Sequence, residues 1–288
     1  MATLREIRTR ISSVKSTQQI TKAMKMVSSA KLRRAQEKII ATRPYAKKLQ
    51  SVIGHLMTRI ENSDHILLKL RPIKKILLVV ITADRGLCGA FNANIIRHAM
   101  SYIKSSTEKE ISLFIVGKKG LEFYSRKDYV IFNKKINFFN HLDFSDATEI
   151  VSSLIEPYSM GEFDKIELLY NEFKSAVRQD VTLEQFLPFV PDEEMKQSAS
   201  QVDYLYEPEK DKILSLIIPK QLNIQMWRIL LESNAAEQGA RMTAMESATD
   251  NAEELIGELT LHYNRARQSA ITKEISEIVG GAEALKEK

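Results

Sequence analysis

Cysteine is almost absent from this chain of 288 residues: Cys88 is the only one, which excludes an internal disulfide framework and suits a reducing compartment. Long apolar runs are missing as well. No stretch of eighteen apolar residues exists, so no segment reads as a membrane-spanning helix. The longest clusters, Ile76–Ile81 and Ile213–Ile218, have the length of a strand or a buried helix segment. The sequence lacks G-x-G-x-x-G, and Gly86-Leu-Cys-Gly89 is not followed by Lys-Ser or Lys-Thr at Walker spacing, which argues against a nucleotide site. Five histidines (His55, His65, His98, His141, His262) share no metal-ligand spacing, and no serine stands in a nucleophile elbow. Cys88 has Arg85 near it but no histidine, so it does not read as a nucleophile. Asp84 and Arg85, just past the apolar run Ile76–Ile81, could be catalytic in an α/β enzyme, but a turn-capping ion pair is the commoner use of such residues. We therefore expect no catalytic residue, no metal and no cofactor.

Acid is scarce at the start of the chain. Residues 1–60 hold 14 Lys and Arg against only Glu6 and Glu37, a net of +12, whereas residues 61–210 carry −4 and residues 211–288 carry −3. The first segment should face something acidic, on the last segment or on a partner. Arg5, Arg8, Arg10 and Lys15 give it some likeness to a mitochondrial transit peptide. The apolar seam continues in register for some sixty residues, however, and Thr3-Leu4-Arg5-Glu6 reads as a capping box that starts a mature helix. The expectation is a cytosolic, unprocessed chain.

What the chain does have is sustained 3–4 apolar spacing at both ends. Leu4, Ile7, Ile11 and Val14 set a seam that resumes at Leu32, Ala35, Ile39, Ala46, Leu49, Ile53, Leu56 and Ile60. Met242, Met245, Ala252, Ile256, Leu259, Tyr263, Ala266 and Ala270 form the counterpart, which then steps to Ile271, Ile275, Ile278, Ala282 and Leu285. This is coiled-coil patterning. Helices over 3–60 and 212–286 would be about 85 Å and 110 Å long, too long to stand without a buried seam, so an antiparallel pair is expected. Pro44 and Pro219 should bend these helices or mark weak points, with the rigid part of the second beginning near Lys220. The first seam lapses at Gln18, Thr21, Lys25 and Ser28, while Ile20, Met24 and Val27 put apolar groups on a neighbouring face. Either the packing has a local fault, or this face meets a third body.

Between the helices lies an α/β alternation. Strands are expected at Lys74–Ile81, Ile111–Val116, Tyr129–Phe132 and Lys165–Tyr170, and helices at Asn92–Ser105, Lys118–Ser125 and Ser145–Tyr158. This implies a Rossmann-like open sheet, with an acidic exit loop over Pro188–Pro208. The domain division is then 1–60 for the N-terminal helix, 74–190 for the central α/β domain and 209–288 for the C-terminal helix.

Three segments carry a resemblance. The tail Ile271-Thr-Lys-Glu-Ile-Ser-Glu-Ile-Val-Gly-Gly-Ala-Glu-Ala284, the run Gln18-Gln-Ile-Thr-Lys-Ala-Met-Lys-Met-Val-Ser-Ser-Ala-Lys31 and the turn Asp84-Arg-Gly-Leu-Cys-Gly89 resemble the γ subunit of the F-type rotary ATP synthase, in its bacterial form. The resemblance implies a non-catalytic central rotor shaft. It would couple proton-driven rotation of the membrane c ring to the conformational cycling of the catalytic β subunits. It further implies α, β and ε subunits and the c ring as partners, with no nucleic acid and no membrane span. The place implied is the cytoplasmic face of the bacterial inner membrane, as a peripheral protein. By matching position, contact with β falls to Lys22, Met24, Lys25, Arg241, Gln268, Thr272 and Glu274. Contact with the c ring and ε falls to Tyr204, Tyr206 and Glu207. Two rivals are weighed: a basic coiled-coil nucleic-acid binder, disfavoured because the first helix has only Tyr45 as an aromatic, and a Rossmann-type enzyme with helical arms.

Overall fold

Ile76–Ile81 has no polar side, and a strand that is apolar on both faces needs cover on both. The computed structural model, which describes residues 3–57, 65–106, 108–190 and 210–286, places it accordingly. The elements are α1 (Leu4–Met57), β1 (Lys75–Ile81), α2 (Phe91–Ser105), β2 (Glu110–Val116), α3 (Lys118–Tyr124), β3 (Ile131–Lys135), α4 (Phe144–Ser159), β4 (Lys165–Phe173), β5 (Gln179–Leu187) and α5 (Lys210–Lys286). The sheet order is β3-β2-β1-β4-β5, with β1 at the centre. All pairings are parallel except β4 with β5, which is antiparallel.

Alternation along β1 divides the core in two. Leu77, Val79 and Ile81 point into a layer built from α4 (Ile150, Val151, Leu154), from Ile53 of α1 and from Ile218, Leu222, Met226 and Leu230 of α5. Leu78 and Val80 point the other way, onto Ile95 and Ala99 of α2 and Tyr124 of α3. The chain divides into two compact units. Residues 28–241 hold the sheet and the helix stretches packed on it, and Met1–Val27 with Met242–Lys288 form the other unit.

The structure alters the sequence reading at three places. The third strand runs over Ile131–Lys135 rather than Tyr129–Phe132, pairing Asn133, Lys134 and Lys135 with β2 past an irregularity at Leu113/Phe114. A sheet edge tolerates such residues because one side faces solvent. A fifth strand, Gln179–Leu187, is present that the sequence did not suggest. Its burial is partial and its residues Asp180, Thr182 and Glu184 break the apolar signal. Finally, α5 begins at Lys210 and passes through Pro219, ten residues ahead of the expected rigid start, and α1 likewise passes through Pro44. The expected exit loop lies outside the described residues beyond residue 190.

The turn from β2 into α3 depends on one glycine. Gly117 has φ +93°, and a Cβ there would lie 2.0 Å from the Thr82 carbonyl oxygen. Thr82 itself is fully buried; its hydroxyl donates to Val116 O at 3.0 Å and accepts from Gly120 N at 2.9 Å. Gly117→Ala should therefore lower unfolding stability by about 2–4 kcal/mol, read from urea denaturation of the isolated chain.

Candidate functional site

In an open α/β sheet, ligands bind in the crevice beyond the carboxyl ends of the strands, where the strand order reverses. Here the chain leaves β1 toward β2 on one side and returns to β4 on the other, so the crevice lies between the ends of β1 and β4. It is filled by the chain itself. Ala83, just after β1, forms a buried cluster with Cys88, Phe91 and Ala236, against which Phe173 at the end of β4 and Ala240 pack. Small residues let α5 come close: a Cβ on Gly239 would stand only 3.2 Å from Ala176 Cα.

The Asp84–Gly89 turn is tied down from both sides. Asp84 caps through backbone amides rather than through the Arg85 guanidinium. Its Oδ1 accepts from Lys118 N at 3.0 Å and from Asn137 N at 2.9 Å, and its Oδ2 accepts from Phe139 N at 3.3 Å. Asn92 Oδ1 accepts from Ala83 N at 2.9 Å. From α5, Arg241 donates through Nη2 to the Gly86 carbonyl at 3.1 Å, and its Nη1 lies 2.7 Å from Glu237 Oε1. Arg241 is only 7% exposed and Glu237 is buried beside it. Burial pushes the Glu237 carboxyl above the usual carboxylate range, against the pull of Arg241. Burial likewise raises the Cys88 thiol, which makes it a poor nucleophile. Among the described residues no cluster of three His, Cys, Asp or Glu is arranged to hold a metal ion.

The other unit contains most of the residues expected to meet a partner. α1 opens with the expected capping box: Thr3 N donates to Glu6 Oε2 at 2.9 Å and Glu6 N donates to Thr3 Oγ1 at 3.3 Å. Thr21 Oγ1 meets Thr249 Oγ1 at 2.8 Å, and Lys25 Nζ meets Glu246 Oε1 at 2.6 Å. Rising numbers on one helix oppose falling numbers on the other, so the pair is antiparallel. The seam does not stop where its apolar residues do. Thr21 is 8% exposed, whereas Ile20 and Val27 point outward. The heptad continues with hydrogen-bonding residues in the inward positions, and the apolar groups beside it form a separate, exposed face. Of the basic residues, Lys25 finds an acid on α5, and Arg5, Arg8, Arg10, Lys15 and Lys22 are exposed.

Lys22 and Lys25 come together at one cleft of about 350 Å³, with Gln18, Glu246, Asp250 and Glu253 on its walls. Met24 is half-buried next to it. Carrying the Thr21–Thr249 register outward sets Leu4 opposite about Ala266. Past that point α5 continues with exposed side chains, including Gln268, Thr272 and Glu274 and the apolar Ile271, Ile275, Ile278 and Val279; Ile278 is 71% exposed. Tyr204, Tyr206 and Glu207 lie outside the described residues. The sequence alone does not join Arg241 to the Gly86 carbonyl, and its link to Glu237 is legible only as an i, i+4 spacing.

A family profile described as ATP synthase matches residues 3–285. The chain is 50% identical over 302 residues to the ATP synthase gamma chain of Chloroherpeton thalassium, spanning 100% of this chain and 99% of that relative. It is 46% identical over 288 residues to the ATP synthase gamma chain of Trichlorobacter lovleyi, spanning 99% and 100%. Among solved structures, it is similar to a chain in the central stalk and c ring of the Tetrahymena thermophila mitochondrial ATP synthase. The TM-score is 0.61 at 26% identity, covering 80% of this chain and 99% of that one. A chain of the Euglena gracilis mitochondrial ATP synthase in its third rotational state shares the fold, with TM-score 0.67 at 22% identity, covering 98% and 94%.

Asp84→Ala removes the acceptor of three backbone amides and should cost on the order of 2–4 kcal/mol. Asp84→Asn keeps one carbonyl oxygen and should cost about half of that. Chemical denaturation of the two variants side by side checks the order.

Proposed function

The chain belongs to the gamma-chain family of ATP synthases, and we propose that it serves there as the non-catalytic central rotor shaft. It couples rotation of a membrane c ring to the cycling of catalytic β subunits between binding states. The observation that carries this reading is the exposed end of α5. Apolar and polar side chains from Gln268 to Val279 stand unburied on a helix that has outrun its partner helix, a surface suited to being enclosed by other subunits. A helix pair with unlike faces presents a different surface to each of three equivalent neighbours, and so biases three sites unequally. The crevice that would hold a ligand in an enzyme of this fold is occupied by α5, which fits a subunit without chemistry of its own.

Contact with β falls in this reading to Lys22, Met24 and Lys25 on α1 and to Gln268, Thr272 and Glu274 on α5. Arg241 belongs to the same set by matching position, with its guanidinium engaged by Glu237 and the Gly86 carbonyl within this chain. Exposed attractions at such a surface are worth about 0–1 kcal/mol each, weak enough to be broken at every step. Tyr204, Tyr206 and Glu207 are assigned to the c ring and ε. No described helix is long and apolar enough to cross a membrane. The chain is then held at the cytoplasmic face of the bacterial inner membrane through the c ring. The central α/β domain, 74–190, lies on the c-ring side, and 1–60 with 209–288 form the part inside the α and β subunits.

Co-expression with cognate α and β subunits, pull-down on a tagged version of this chain and an ATPase assay of the eluate test the proposal. A stable complex with hydrolysis that the isolated chain lacks is expected; failure to capture α and β would overturn it. Met24→Lys should lower proton pumping per ATP several-fold with assembly retained, since it sets a further cation beside Lys25. Truncation from Leu285 should be tolerated better than joint replacement of Gln268 and Thr272, measured as ATP synthesis in membrane vesicles.

A further inference from the structure

α5 has to take up turning force where it crosses the α/β domain, and an apolar contact alone resists sliding poorly. The surface of α5 at the end of the sheet is made of Ala236, Gly239 and Ala240, which offer close approach but little relief for a neighbour to push against. Directional bonds tie α5 to the domain at Arg228 and Gln225, which both reach Glu184 of β5, and at one further place on this end surface. Arg241 reaches both Glu237, one turn back on its own helix, and the Gly86 carbonyl on the turn after β1. That turn is fixed in its own right. Asp84 binds the amides that begin α3 and follow β3, and Asn92 ties Ala83 to the first turn of α2. Leu87, the residue after Gly86, holds a left-handed φ of 62°, a conformation costing about 1–2 kcal/mol outside glycine, so the turn is held in shape against a local preference.

We propose that Arg241 and Glu237 form a clamp that locks α5 to the Asp84–Gly89 turn, and that this clamp passes torque between the α/β domain and the helix. The mechanical part rests on the rotor reading; the clamp itself does not. Glu237 is the positioning residue. It holds the guanidinium so that a second N–H faces the Gly86 carbonyl, and a planar fork serves both partners where an ammonium would serve one well. Removing a single partner of such a buried pair strands the other charge, whereas replacing both by apolar groups of similar volume is often neutral for stability. The double variant Glu237→Leu/Arg241→Met therefore separates clamping from folding.

Two measurements decide the matter. In the isolated full-length chain, hydrogen exchange is followed at the Ala83 and Phe91 amides, which are bonded to Asn92 Oδ1 and to Cys88 O. The double variant should exchange there at least about tenfold faster with β2 and β4 protection unchanged, and Arg241→Lys should fall between; unchanged turn protection overturns the clamp. In the assembled complex in vesicles, protons pumped per ATP hydrolysed should fall at least about threefold in the double variant. Glu184→Gln, which weakens the Arg228 pair between β5 and an earlier stretch of α5, should leave that ratio unaltered. An unaltered ratio in the double variant, or an equal fall in Glu184→Gln, overturns the torque role. If the wild-type complex shows no ATP-driven pumping, the rotor reading and the torque role fall together, while the exchange result still decides the clamp.

Discussion

The cover found for one stretch of α5 governs the rest of the sheet-containing unit. Ile218, Leu222, Met226, Ile229, Leu230 and Leu231 are all essentially removed from solvent, and each such side chain contributes roughly 1.5–3 kcal/mol on burial. Their combined effect is of the order of a whole domain's net stability. A surface pair such as Lys25–Glu246 is small beside it. The sheet supplies the cover with the face of β1 that carries Leu77, Val79 and Ile81, and α4 and the end of α1 close the sides. Trp227 marks the rim of this layer, with the ring of Phe144 edge-on at 6.0 Å and the Lys38 ammonium 5.8 Å above it. The α/β domain is thus a seat for a helix before it is anything else.

That priority explains the missing chemistry. A parallel sheet with this strand order leaves a crevice at its switch point, and nucleotide-binding proteins line it with glycine so that phosphate can approach the backbone. This chain brings its own helix there. Ala236 and Ala240 take the volume that a ligand would use, and the Gly86 carbonyl, an acceptor facing the crevice, is answered by Arg241. The absence of G-x-G-x-x-G and the presence of small residues on α5 are two sides of the same substitution of helix for ligand.

Much of the fold was legible because its signals are local. The apolar run of β1, the 3–4 spacing of the helices and the Thr3–Glu6 box each specify their own element. β5 was not legible: an antiparallel edge strand with Asp180, Thr182 and Glu184 owes its place to hydrogen bonds with β4 across a short hairpin and to the Glu184–Arg228 pair, whose partner is distant in sequence. The polar interval of α1 was read as a lapse because apolarity was the measure. Thr21 and Ser28 keep the inward positions, and Thr249 supplies the partner that a single strand of sequence cannot display. Arg241 illustrates the same limit at the candidate site. Its matching position implies a contact with β, and only the fold reveals the carbonyl it serves within the chain.

The end of α5 has a thermodynamic consequence for assembly. Beyond about Ala266 no second described helix packs on it, so the apolar burial that carries most of a helix's stability is lacking there. In the rotor reading, enclosure by other subunits would supply the cover that this stretch lacks within the chain. Ile275, Ile278 and Val279 stand exposed on that helix, so each would gain roughly 1.5–3 kcal/mol on full burial in an apolar surround. The apolar cover that completes this end of the helix would then come from outside the chain, so assembly and the stability of α5 are linked.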